Sequence, residues 1–103
     1  MGKTKVRVVL YQTDGLWAAR CLEHDIAAFA PTLSAVTKKL QRAMAAEIMV
    51  NTKLGREGLE GIPPAPERYA ALYEAAQLQL SSRVEPSASA EGVEADLRVS
   101  EAA

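Results

Sequence analysis

Two stretches near opposite ends of the chain alternate at period two, and they limit the possible folds more than any other feature. Val6, Val8 and Leu10 are interleaved with Lys5, Arg7 and Val9; Val93, Ala95, Leu97 and Val99 with Glu94, Asp96, Arg98 and Ser100. Successive side chains of a strand point to opposite faces, so each stretch predicts a strand with one apolar face. The first strand is read over 5–12. Thr13-Asp14-Gly15 then marks a tight turn, because Gly15 can take the positive φ a hairpin needs. A second strand over 16–22 follows, with Trp17, Ala19 and Cys21 toward the core. Glu23-His24-Asp25 is a polar connection. Residues 26–30 form a short third strand, ended by Pro31, which has no N–H for a ladder.

The pattern then changes period. Thr32 is a helix N-cap candidate. Leu33, Val36, Leu40, Ala43, Met44 and Ile48 recur at helical spacing, with Lys38, Lys39, Gln41, Arg42 and Glu47 on the remaining arc. The helix should run to about Thr52, with Gly55 as its C′ residue. Residues 58–66 are read as a stiff, proline-rich connector, with Pro66 suited to open a second helix. Tyr69, Leu72, Tyr73, Ala76 and Leu80 form that helix's stripe. Residues 81–92 read as a mobile loop, and 93–100 as a strand that returns to the sheet.

The expected fold is therefore α+β, ordered β-β-β-α-α-β. It has a small, mainly antiparallel sheet with the helices packed on one face. The opposite face would carry Val9, Tyr11, Ala18, Leu22 and Phe29. So apolar a face is often covered by another chain. Val9, Tyr11, Leu22, His24 and Phe29 are accordingly the predicted partner contacts.

Composition narrows the role. The 103 residues suit one domain over 1–103. The formal net charge of −1 argues against a dedicated nucleic-acid binder. A single cysteine, Cys21, forbids an intrachain disulfide. No leader-like or membrane-length apolar run stands out, so a cytoplasmic location is expected.

Reactive constellations are sparse. Metal-dependent nuclease chemistry needs converging carboxylates. The candidates are Asp14, Glu23, Asp25 and Glu47, and nothing in their spacing gathers them. Cys21 and His24 have no further Cys or His to complete a zinc site. Cys21 reads as a small core residue and His24 as a loop residue or partner contact. Lys38, Lys39 and Arg42 could meet RNA phosphates. The competing reading is a solvated helix face, with Lys3, Lys5 and Arg7 protecting an edge strand. No cofactor or metal is expected.

The stretch from Val8 to Ile48 resembles the N-terminal domain of the HicB antitoxin family. The resemblance lies in the Asp14-Gly15 turn, the aromatic Trp17 after it, the small residue Ala19 two positions on, and Thr32-Leu33 opening the helix. Ala30-Pro31 stands where the family often has glycine, and Ser34-Ala35 where it often has Glu-Ala. The resemblance implies a truncated RNase H-like fold that binds and neutralises a small HicA-type RNA-cleaving toxin without catalysis of its own. Many family members add a DNA-binding domain. Here the residues after Ala65 predict one helix, a loop and a strand, so direct DNA binding is not expected. The alternatives are an orphan HicB-like homo-oligomer (a dimer or larger) and, least favoured, a metal-dependent nuclease.

Overall fold

The computed structural model describes residues 4–76, 78–80 and 93–100. Strands β1 (Thr4–Thr13), β2 (Leu16–Cys21) and β3 (Ala27–Ala30) come first. Helices α1 (Leu33–Lys53) and α2 (Glu67–Ala75) follow, then β4 (Leu78–Leu80) and β5 (Val93–Val99). The sheet order is β3-β2-β1-β5-β4. The chain's two alternating stretches become neighbours: β1 and β5 pair in parallel, with Val6 opposite Ala95 and Val8 opposite Leu97. The other three pairings are antiparallel.

Local chemistry explains most boundaries. Thr13 pairs with Leu16 across a two-residue loop in which Asp14 and Gly15 both have positive φ, at 50° and 79°. This is the pattern of a type I′ turn, whose twist matches the flanking strands. The Thr32 hydroxyl accepts from the Ala35 N–H at 3.1 Å and caps α1. At the other end Gly55, with φ 80°, lets the chain fold back. Gly55 N–H donates to Thr52 O at 3.1 Å and Arg56 N–H to Asn51 O at 2.7 Å, the two bonds of a Schellman motif. The buried Asn51 amide donates to the carbonyls of Gly58 and Glu60, both at 2.9 Å, and so ties the connector to the helix end.

The main core lies between α1 and the sheet. Val36, Leu40 and Met44 join Val6, Val8, Leu10, Ala19 and Cys21, with Trp17 partly buried against them. Fully burying one side chain of the Val or Leu class contributes roughly 1.5–3 kcal/mol, so this cluster dominates the stability.

Two expectations change, and a third lies beyond what the structure describes. The two helices do not share a face. Tyr73 of α2 is buried with Val9 and Leu22, while Tyr11, Tyr69, Ala70 and Leu72 pack around them on the side away from α1. The apolar groups of the second face attract a segment of the same chain, a solution that a stripe of two tyrosines leaves open. Next, the second helix ends at Ala75. Ala76 takes an extended conformation with ψ 134°, and Leu78–Leu80 forms an edge strand antiparallel to β5. Leu80 fits a helical stripe by spacing, yet Leu-Gln-Leu equally satisfies period two, and pairing with β5 decides. Finally, the loop expected over 81–92 lies outside the described residues.

Candidate functional site

The register brings three apolar positions into one row on the second face. Tyr11 pairs with Ala18, and Ala18 with Phe29. Ala18 is buried between its larger neighbours, while Phe29 is 42% exposed and Leu16 38%. Leu16 pairs with Thr13, which places it on the same face, toward the hairpin end. Leu16 and Phe29 thus leave an exposed apolar corner on this face beside the buried Ala18.

An aromatic and cationic rim adjoins this corner. The Tyr11 and Tyr69 rings stack with centroids 5.9 Å apart and planes 30° apart. The Arg20 guanidinium lies 4.2 Å from the Tyr69 centroid and that of Arg68 4.7 Å. Arg20 is held by Asp25 at 2.6 Å. Burial raises the Tyr11 phenol above its ordinary value. The Arg68 hydrogen bond, against a smaller effect of burial, lowers that of Tyr69. Tyr, Phe and Arg are residue types enriched in protein–protein contacts, Tyr and Arg above all at their hot spots.

The predicted contact residues separate into two groups. Val9 and Leu22 are buried beneath α2 and are not open to a partner while that helix is in place. The Tyr11 ring is half-buried against Tyr69, and Phe29 is open. His24 is half-buried, with Nδ1 2.9 Å from the Ile62 carbonyl. A carbonyl only accepts, so Nδ1 donates and the ring serves as a strut. The adjacent backbone continues that join: Asp25 N–H donates to Pro63 O at 2.7 Å and Ala65 N–H to Leu22 O at 2.9 Å. Leu16, Arg20 and Arg68 were not singled out as contact residues. The side of the sheet on which Leu16 and Arg20 lie follows from register, but the place of Arg20 under the Tyr69 ring depends on where α2 docks.

The reactive candidates are committed elsewhere. Cys21 is buried on the α1 side, and burial pushes its thiol up to about 11. A nucleophilic cysteine needs thiolate character at working pH, which this setting opposes. Glu23 accepts from Arg7 twice, from the backbone N–H at 2.7 Å and from Nε at 2.6 Å. Among the described residues no group of three or more His, Cys, Asp or Glu is placed to hold a metal ion. Asp14 is exposed in its turn and Glu47 on α1. Lys39 Nζ donates to the Phe29 carbonyl at 3.0 Å, while Lys38 and Arg42 are exposed. The Lys39 contact occupies a backbone acceptor of edge strand β3, a common way to blunt unwanted strand pairing. Among the described residues, no helix is long and apolar enough to cross a membrane. Comparison with protein-family models, curated proteins and solved structures returned no match to this chain.

Proposed function

We propose that this chain is a non-catalytic protein-binding module of the HicB-like antitoxin kind, which binds and neutralises a small, basic, RNA-cleaving toxin of the HicA type in the cytoplasm. The open corner formed by Leu16 and Phe29 beside the stacked Tyr11 and Tyr69 carries this reading. It supplies an apolar anchor with an Arg and Tyr rim, the chemistry of a docking surface rather than of a reaction centre. The buried Cys21 and the ion-paired Glu23 and Asp25 fit the same reading.

The test is capture from the native host with the tagged full chain, followed by light scattering and an RNA-cleavage assay. The expected result is a stoichiometric small basic protein whose RNA cleavage is suppressed by this chain. Phe29→Asp should abolish both capture and suppression. A captured protein without RNA-cleaving activity, or undiminished capture by Phe29→Asp, would sink the toxin reading.

A second reading has its own observation. Met49, Val50 and Leu54 near the end of α1 are 61%, 51% and 63% exposed. An orphan homo-oligomer would bury such groups against a copy of itself. A concentration-stable dimer or larger assembly with no companion would favour that reading.

A further inference from the structure

Helix α2 has a thin apolar seat. Among the described residues, its buried cluster joins the helix's own Tyr73 to two residues of the sheet side, Val9 and Leu22. Polar contacts supply much of the rest. Tyr73 Oη donates to Asp96 at 2.6 Å, and Arg98 donates to the Tyr73 carbonyl at 3.3 Å. Arg7 lies 3.7 Å from Glu74 at the surface, where ion pairs contribute little. One feature of the seat is unfavourable. Arg20 Nε is buried without an acceptor among the described residues, and the Tyr69 ring lies over that guanidinium. A buried donor with no acceptor carries a desolvation penalty, which access to water relieves.

The helix also cannot hold itself. It has nine residues, and its N-cap Pro66 makes no side-chain capping bond. Isolated helices shorter than about 12–15 residues are marginal in water, so the helicity of α2 depends on docking. Both flanks are nevertheless fixed. Ala65 N–H is bonded to Leu22 O on one side, and Leu78 pairs with Val99 on the other. The segment between these anchors can lift while its ends stay attached.

What the helix covers gives that motion a consequence. Val9 and Leu22 lie on the same face as Tyr11, Ala18 and Phe29. Removing the cover would extend the open corner at Leu16 and Phe29 into one larger apolar surface.

We infer that α2 is a releasable strap: it opens by local unfolding between two fixed anchors and, when closed, withholds the Val9 and Leu22 part of the protein-binding face. Its use by a partner rests on the binding-module reading. Its opening belongs to the free chain.

Thiol labelling of the free, full-length Val9→Cys variant tests the opening. The introduced thiol lies under α2, and the native Cys21, fully buried on the α1 side, serves as an internal control. Local opening should label the introduced thiol at least about 10-fold faster than Cys21, because sub-global opening needs less free energy than unfolding. Adding Tyr73→Phe should accelerate that labelling and leave Cys21 unchanged. Equal rates at the two thiols, or no acceleration by Tyr73→Phe, would overturn the strap. If Val9→Cys does not fold, hydrogen exchange on the unaltered chain decides. Amides of Tyr69 to Tyr73 should then exchange faster than those of Val8 to Leu10, and equal protection overturns the idea. No partner enters these measurements, so a failed strap leaves the toxin reading standing, and failed capture leaves the strap standing.

Discussion

On the α1 side of the sheet, Val36, Leu40 and Met44 meet Val8, Leu10, Ala19 and Cys21, all of them fully buried. On the α2 side, Val9, Leu22 and Tyr73 are buried, and the surroundings are tyrosine rings, guanidinium groups and carboxylates. The first cover is 21 residues long with a cap at each end; the second is nine residues without a side-chain cap. Apolar burial involves no charge to titrate or screen, whereas a polar seat depends on charge state and competes with water. One side therefore holds the fold, and the other is suited to change.

The sharpest way to break this contrast is Leu40→Ala. It should cost about 2–5 kcal/mol in urea denaturation, the range for a buried leucine truncated in a packed core. A loss well under that range would mean that α1 is not the principal cover.

Tyr73→Phe should cost less, about 1.5–3 kcal/mol, by removing one hydrogen bond to a carboxylate while keeping the ring. Its pH dependence is more telling. Burial first, then the bond to Asp96 and its charge, push the Tyr73 phenol from 10.0 up to about 12. The neutral phenol's contribution is thus full below about pH 10 and lost as pH rises toward 12. Cys21, raised from 9.0 to about 11, adds a separate loss between those values. Thermal melts of Tyr73→Phe across the alkaline range should keep the Cys21 limb and the contribution of Tyr11, and lose less stability toward pH 12 than the unaltered chain. An unaltered limb toward pH 12 would show that the phenol is not linked to folding.

Phe29→Ala should have the smallest effect on stability, within about 0.5 kcal/mol, as expected of an exposed side chain. A loss above about 1 kcal/mol in the same urea assay would place Phe29 in the core rather than at a free corner.

Much of the scaffold is legible because short-range physics sets it. The Asp14-Gly15 turn, the Thr32 cap and the Gly55 exit each act within a few residues, and each lies where its local chemistry predicts. The return of 93–99 to the sheet is legible too, since alternation reports one buried face. The site is legible only in part. Tyr11 and Phe29 are placed on the second face by parity, but exposure is not a property of parity. Val9 has the same parity as Tyr11 and is fully buried, because α2 lies over it. Leu80 had two consistent readings, and β5 rather than any nearby residue chose between them.

The sequence by itself determined the period of most elements, several of their ends and the face on which each strand residue lies. Dihedral preference, capping and side-chain alternation are local, so they can be read along the chain. Only the tertiary structure decided that β5 runs parallel to β1, that the two helices take opposite faces, and that Phe29 is left open while Val9 and Leu22 are covered. Those outcomes depend on which apolar surfaces meet, and hydrophobic burial is non-directional: it requires a cover but does not name one.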